Sequence, residues 1–262
     1  MDVTTLSEAA NALANARISA KALDRLPMEP ESVDLDTAYR IQDLLHERLT
    51  DRFGPMRGHK IGCTTKVMQE YLKIDHPCAG MVPAAMVHEG TGRFKRAELV
   101  RPGIECEIAV ALAKDLPARA EGYDRISAAQ AVAGAMASIE LVDERWTDFR
   151  ERPTSSLVAD DFFNAGCVFS TPVDLDPLAM DSLTGRLRIN GKLIGEGIGR
   201  DILGHPMDAL AWLAEFRAGR GQLLKAGEFV TLGSIVKTKW IEAGDEVVTE
   251  IDGLGVATLI VE

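Results

Sequence analysis

The sequence predicts an α+β protein built on a mostly antiparallel β core, with an N-terminal pair of helices and few helices beyond. Three observations predict it. Apolar residues keep a helical period as far as Phe53. From Gly58 onward, short apolar runs alternate with glycine turns. Asn190-Gly191 lies between two such runs, a strong hairpin signal. The chain has 262 residues, 46% hydrophobic and 26% charged, which suits one large globular domain or one domain with a small helical annex and excludes a disordered chain.

Leu6, Ala9, Ala10, Leu13, Ala16 and Leu23 form the apolar set of a first helix, which MEPESVD ends. Residues 34–53 resume the period with Ala38, Ile41, Leu44, Leu45 and Leu49 on one stripe. Together these give an annex over 1–56 and a β-rich catalytic domain over 57–262. GHKIGCTT reads as a short strand leading to a helix, KVMQEYL, capped by Thr64 or Thr65. IDHPCAGMV reads as a loop, broken at Pro77 and Gly80. Residues 98–113 read as a strand, SAAQAVAGAMA as a helix capped by Ser127, and SIELVDERW as another strand. GRLRINGKLIGEG is the hairpin. LGHPMDALAWLAEFRAG is a helix with Pro206 in its first turn and Gly219 near its end. GEFVTLGS, GDEVVTEI and GVATLIVE are strands.

The net charge of −11 argues against a nucleic-acid partner. No apolar run approaches the roughly 20 residues of a membrane span, and MDVTTLSEAANALANAR has no secretory hydrophobic segment. Cys63, Cys78, Cys106 and Cys167 show no C-x-x-C spacing and no accompanying histidine cluster, so zinc and redox motifs are weak readings. A cytoplasmic protein with reduced thiols is the expectation.

The chemistry is concentrated in RPGIECEIAVAL. Ile104, Cys106, Ile108, Val110 and Leu112 share one face of this strand; Glu105, Glu107, Ala109 and Ala111 share the other. Two like charges on one face repel, and burial raises the cost. Either the pair is solvated or a positive group sits between them. Glu140, in SIELVDERW, is a candidate third carboxylate. Three carboxylates without His or Cys make a hard oxygen site for Mg2+ or Mn2+. Lys60, in the apolar run GHKIG, either snorkels at a strand edge or serves to neutralise substrate charge or to move a proton; burial beside a metal would lower its pKa. His59 points to the opposite face and reads as packing. His205 reads as a helix-entry residue. Asp160 and Asp161 are either turn formers or supports of the site. GEGIGR lacks the strand–turn–helix context of a phosphate loop.

GHKIGCTTKVMQ, RPGIECEIAVAL, SIELVDERW, SLVADDFFNAG, LGHPMDALAWLA and LKAGEFVTLGS…AGDEVVTEIDGLG occur in one order. In that order the chain resembles the 2-keto-4-pentenoate hydratase / 4-oxalocrotonate decarboxylase family of the fumarylacetoacetate hydrolase superfamily, over residues 34–262. The resemblance implies a mixed sandwich or barrel-like β core and a homo-oligomer. It implies Mg2+ (or Mn2+) on Glu105, Glu107 and Glu140, Lys60 in the active site, and Asp160 and Ser234 near a small 2-oxo acid substrate. Its main expectation is a hydratase converting a 2-hydroxy-2,4-dienoate to a 4-hydroxy-2-oxo acid. The alternatives are a 4-oxalocrotonate-type decarboxylase, an acylpyruvate C–C hydrolase, or a metal-dependent oxo-acid binding protein without turnover. The chain departs from the family where hydratases often carry aspartate in P-D-[FY]-G: here HPCAG puts Cys78 in that place, a candidate proton carrier of different chemistry. DDFF replaces D-N-A-[SA]. In LGSIVKTKW, Lys237 or Lys239 is expected to meet a distal carboxylate and Trp240 to close over an apolar tail, unless this is a solvated edge strand. Arg145 either pairs with Asp143 or touches substrate.

Overall fold

In a computed structural model, residues 3–27 and 33–262 are described. The elements are α1 (Val3–Ser19), α2 (Leu35–Phe53), β1 (Met56–Gly62), α3 (Lys66–Leu72), β2 (Cys78–Pro83), β3 (Val87–Glu89), β4 (Thr91–Phe94), β5 (Pro102–Leu112) and α4 (Arg125–Ala129). They continue with β6 (Val132–Asp143), α5 (Thr154–Ala159), β7 (Asn164–Phe169), β8 (Thr184–Ile189), β9 (Lys192–Ile198), α6 (Pro206–Gly219), β10 (Phe229–Trp240), β11 (Glu246–Ile251) and β12 (Gly255–Val261). The strands make a seven-stranded sheet, β2-β1-β10-β5-β6-β7-β3, and a five-stranded sheet, β4-β12-β11-β8-β9. Pairing is antiparallel except for β1 with β10, β3 with β7 and β4 with β12. β2 also approaches β7, so the larger sheet curls into a roll.

Local chemistry explains the ends of the helices. The Asp34 carboxylate accepts the Thr37 amide at 2.7 Å and starts α2; Gly54, at φ 78°, ends it. Thr65 caps α3. His205 accepts the Met207 amide at 3.0 Å, and Pro206 opens α6. Asn190 and Gly191, at φ 52° and 77°, turn β8 into β9 as the hairpin signal requires.

Three sequence expectations are corrected. α1 ends at Ser19, so Leu23 lies outside it, bridged in parallel to Trp146. HPCAG is not a loop: Cys78–Pro83 pairs with β1 and supplies hydrogen bonds that β1 would otherwise lack. The alanine-rich run after Ser127 is helical only through Ala129, and Asp124 is its cap. From Val132 it is strand, paired with β5 along its length. Small side chains suit this strand because another segment crosses it closely: a Cβ on Gly134 would lie 3.1 Å from the Val173 carbonyl oxygen. Tertiary pairing outweighs the helix propensity of alanine here.

The helices of α1 and α2 share one apolar core with the strands: Leu6, Leu13, Leu45 and Leu49 join Ile104, Ile108, Ile139 and Leu141. A second, smaller cluster lies on the opposite face of the large sheet, where Ala109, Met136, Cys167, Phe169 and Phe229 fill the roll beneath Glu107. β9 approaches β10 so closely that a Cβ on Gly197 would lie 1.8 Å from the Ile235 carbonyl oxygen. Gly197→Ala is therefore expected to destabilise the fold by roughly 2–3 kcal/mol, seen as a lower midpoint in urea unfolding with an unchanged slope.

Candidate metal centre and active site

Strand register assembles the site. Glu105 and Glu140 are direct cross-strand partners, and Glu107 follows Glu105 on the same face. Ligand oxygens of all three carboxylates lie within 4.8 Å of one another. Glu107 and Glu140 are fully buried, while Glu105 is half-buried and opens the cluster to solvent. Lys60 reaches across from β1, its Nζ 3.3 Å from Glu140 Oε1. The two adjacent carboxylates of β5 therefore do have a positive group beside them, and the alanines that follow mark where aromatic rings take over the interior.

Each carboxylate is held by donors from neighbouring strands. The Asn164 amide donates to Glu140 Oε1 at 2.8 Å, the Gly233 amide to Glu107 Oε2 at 3.3 Å, and the Thr238 hydroxyl to Glu105. Glu107 Oε1 and Glu140 Oε2 are buried without a hydrogen-bond partner. Unsatisfied buried carboxylate oxygens are costly, and a divalent cation held by them would remove that cost. The donor set is all oxygen, which fits a hard cation. Cys167 lies across from Glu140, but burial and the charges of Glu140 and Glu107 push its thiol well up, so it stays protonated and is a poor ligand.

The electrostatics follow from burial. Desolvation, then the charges of Glu140 and Glu105, raise the Glu107 pKa well above the usual carboxylate range. Desolvation also raises Glu140, against the opposing pull of Lys60. Burial opposes the charge on Lys60, as expected from the sequence, but Glu140, Glu105 and Glu107 outweigh it and raise the lysine instead.

The other sequence candidates are placed as follows. Cys78 lies on the face of the sheet that carries Lys60, yet it is fully buried in the main core. A hydrogen bond with Cys63, and then burial, raise its thiol well above its ordinary pKa. That surrounding does not favour a proton carrier. Asp160, expected near substrate, is instead committed to two guanidinium groups: Arg145 Nε at 3.0 Å and Arg17 at 3.2 Å. Arg145 is thereby structural; its contact with Asp143 is longer, at 3.8 Å. Ser234 is opposite Glu107 in register, with its hydroxyl turned to the Val236 carbonyl at 2.6 Å. Lys237 is exposed, and Lys239 pairs with Ile104, whose side chain lies on the opposite face from Glu105. Trp240 pairs with Gly103, one pleat from Glu105 toward solvent, and its ring stacks 4.2 Å from the Arg101 guanidinium carbon. His59 bonds Glu228 at 3.0 Å on the far face.

Asn164, Gly233 and Thr238 were not singled out from the sequence, and Phe162 was noted only within DDFF, without its contact to Lys60. The Phe162 carbonyl accepts from Lys60 Nζ at 3.3 Å, and its ring centroid is 5.6 Å from the same atom. Thr238 had a usable signal, since it stands two residues before Trp240 on one strand. Phe162 was marked only as part of the DDFF departure, and Asn164 had no signal, because the position of both depends on how the 160–163 segment turns.

A family model described as fumarylacetoacetate (FAA) hydrolase C-terminal matches residues 69–262. The chain belongs to the fumarylacetoacetate hydrolase family. A 2-keto-4-pentenoate hydratase of Burkholderia vietnamiensis is 32% identical over 256 residues, covering 97% of this chain and 96% of its own. A 2-hydroxyhexa-2,4-dienoate hydratase of Comamonas testosteroni is 33% identical, covering 95% and 92%. The solved 4-oxalocrotonate decarboxylase of Pseudomonas putida G7, complexed with magnesium and adipate, superposes with a TM-score of 0.93 at 22% identity, covering 100% of this chain and 99% of that one. Among the described residues, no helix is long and apolar enough to cross a membrane.

A raised folded-state pKa for Glu107 means that the folded protein binds a proton where the unfolded chain, near pKa ~4.3, has released it. The contribution is present below that pH and is lost as pH rises through the folded value. Metal-free protein is thus expected to lose urea-unfolding stability from about pH 5 to 8 more steeply than Glu107→Gln, and saturating Mg2+ is expected to remove the difference.

Proposed function

We propose that the protein is a Mg2+-dependent hydratase acting on a short 2-hydroxy-2,4-dienoate and giving a 4-hydroxy-2-oxo acid. The observation that carries it is the closed set of Glu105, Glu107 and Glu140 with the Lys60 ammonium against Glu140, in a chain about one-third identical to enzymes named as hydratases of such dienoates. Glu105, Glu107 and Glu140 would hold the ion, which supplies Lewis-acid polarisation of the 2-oxo group.

The chain's own groups do the rest. Asn164, Gly233 and Thr238 hold the three carboxylates in one orientation, so the site is preorganised before substrate arrives. Lys60 holds a proton at Nζ beside the cluster. It is the group placed to complement the charge that develops on the substrate oxygen and to deliver a proton to the dienol carbon. The Phe162 ring covers Lys60 and keeps bulk water from it. The half-buried Glu105 side is the path for substrate and for the water that adds. Trp240 and Ser234 line up along that side and are the substrate contacts of this reading. Self-association, implied by the family resemblance, is part of the same proposal and is tested by sedimentation of the same preparation.

Hydration is favoured over loss of a distal carboxylate by where the cations are. Arg17 and Arg145 are paired to aspartates, Arg101 is paired to Glu144 at 2.5 Å, Lys239 belongs to the other face, and Lys237 is exposed to solvent rather than held against the cluster. The test is ultraviolet absorbance of 2-hydroxypenta-2,4-dienoate and of 4-oxalocrotonate, with Mg2+ or EDTA, and product identification. Metal-dependent loss of the dienoate chromophore is expected, abolished in Glu105→Ala/Glu107→Ala. Lys60→Met is expected to lower kcat by roughly 10²–10⁴-fold with Mn2+ affinity retained. Carbon dioxide release from 4-oxalocrotonate with no dienoate hydration would overturn the hydratase in favour of the decarboxylase.

A further inference from the structure

The segment joining α5 to β7 carries three consecutive non-glycine residues in the left-handed region: Asp161, Phe162 and Phe163, at φ 53°, 51° and 71°. β-carbon sterics disfavour that conformation, and a run of three persists only where the surroundings over-determine it. Here they do. The Asp161 carboxylate is fully buried and meets His46 Nε2 at 2.7 Å, Arg17 at 3.1 Å and the Met81 amide at 3.1 Å. Arg17 belongs to α1 and His46 to α2, so both N-terminal helices grip this one side chain.

The next residue is the one that touches Lys60. Two glycines let it approach: a Cβ on Gly80 would lie 3.0 Å from Lys60 Cγ and 3.1 Å from the Asp161 carbonyl oxygen, and one on Gly62 would lie 3.2 Å from Lys60 Nζ. Phe163 backs Phe162 edge-on at 5.6 Å, and Phe149 backs Phe163 at 5.5 Å. The aromatic stack ends on the lysine, whose Nζ is 5.6 Å from the Phe162 ring centroid.

We propose that Asp161 is a positioning residue: it seats Phe162 on Lys60, and so makes the N-terminal helices part of what orients the lysine beside the carboxylates. The inference rests on the proposed role of Lys60 in turnover. The side-chain partners of Asp161 are Arg17, His46 and the Met81 amide, none of them in the carboxylate cluster. Losing its anchor lets the 161–163 run relax from its left-handed conformation, and the lysine loses both the carbonyl acceptor and the ring.

The test compares wild type, Asp161→Asn, Arg17→Gln, Lys60→Ala and Asp161→Asn/Lys60→Ala. Each is assayed for hydration of 2-hydroxypenta-2,4-dienoate, for Mn2+ affinity by electron paramagnetic resonance, and for amide hydrogen exchange in peptides spanning 159–164. Asp161→Asn is expected to lower kcat by roughly 10²-fold, the scale of a small misplacement, with KM and Mn2+ affinity nearly unchanged. Exchange in 159–164 should quicken while β5 and β6 stay protected. In the Lys60→Ala background the same substitution should cost little more, because both act through one lysine. Arg17→Gln, which leaves Asp161 in place, should give the same pattern more weakly, and it carries the test if Asp161→Asn does not fold. An unchanged kcat, an additive double variant, or a parallel loss of Mn2+ affinity would overturn the inference. If the wild type hydrates no dienoate, the proposed function fails separately, and exchange decides the seating: unchanged protection in Asp161→Asn overturns it.

Discussion

Three carboxylates and one ammonium share the inside of a β roll, and the remaining architecture answers to that constraint. Such a set survives burial only if most of its lone pairs and protons are met. The β5–β6 register brings Glu105 and Glu140 opposite each other; β10 contributes Gly233 and Thr238, β7 contributes Asn164, and β1 contributes Lys60. Every strand from β1 to β7 across the centre of the sheet therefore has a duty at one point. The two oxygens left without partners, on Glu107 and Glu140, lie within one carboxylate cluster and would be met by the cation of the proposed function. Below them the same face turns apolar, with Phe169 and Phe229 in edge contact at 4.6 Å, so charge is confined to the open end of the roll.

A second buried network sits alongside and is nearly balanced in charge. Asp160 and Asp161 face Arg17, Arg145 and His46. Buried pairs of this kind contribute little net stability, because desolvation offsets attraction. What they supply is geometry. Arg145 reaches the Asn164 carbonyl as well as Asp160, so the start of β7, whose Asn164 amide serves Glu140, is fixed by the same guanidinium. The two networks are thus joined through one asparagine.

Much of this was legible in the sequence, for identifiable reasons. Strand alternation placed Glu105 and Glu107 on one face, and an apolar strand with a lone glutamate offered Glu140 as the third member. The Asn190-Gly191 turn, the cap at Thr64 or Thr65, and the α6 boundaries followed from local chemistry. What was illegible depended on partners distant in sequence. The alanine run 131–137 carries helix propensity and becomes strand only because β5 needs a neighbour. HPCAG looks like a loop until β1 is seen to need an edge. Asp160 was placed near substrate only by the family resemblance, and its pairing with Arg17, 143 residues away, had no signal in the sequence. The DDFF departure marked Phe162 as a change at the pocket, but its contact with Lys60 follows from backbone angles that no spacing rule anticipates.

The placement of cations bears on substrate class as directly as the metal cluster does. A reaction that expels a distal carboxylate needs that group recognised before it leaves, and recognition requires a cation whose charge is not already spent. Around this cluster most positive groups are engaged: Lys60 by Glu140, Arg17 and Arg145 by the paired aspartates, Arg101 by Glu144 and by the face of Trp240, while Lys237 is exposed and Lys239 lies on the other face. The wall over Lys60 is aromatic rather than basic. An anionic tail would lose its hydration against that wall and gain no fresh counter-charge, whereas an uncharged vinyl or methyl end would lose only apolar contact with water. The charge balance of the second network therefore reaches into the chemistry of the first: with Arg17 and Arg145 paired to Asp160 and Asp161, neither is free to meet an anionic tail, which accords with the dienoate proposed above.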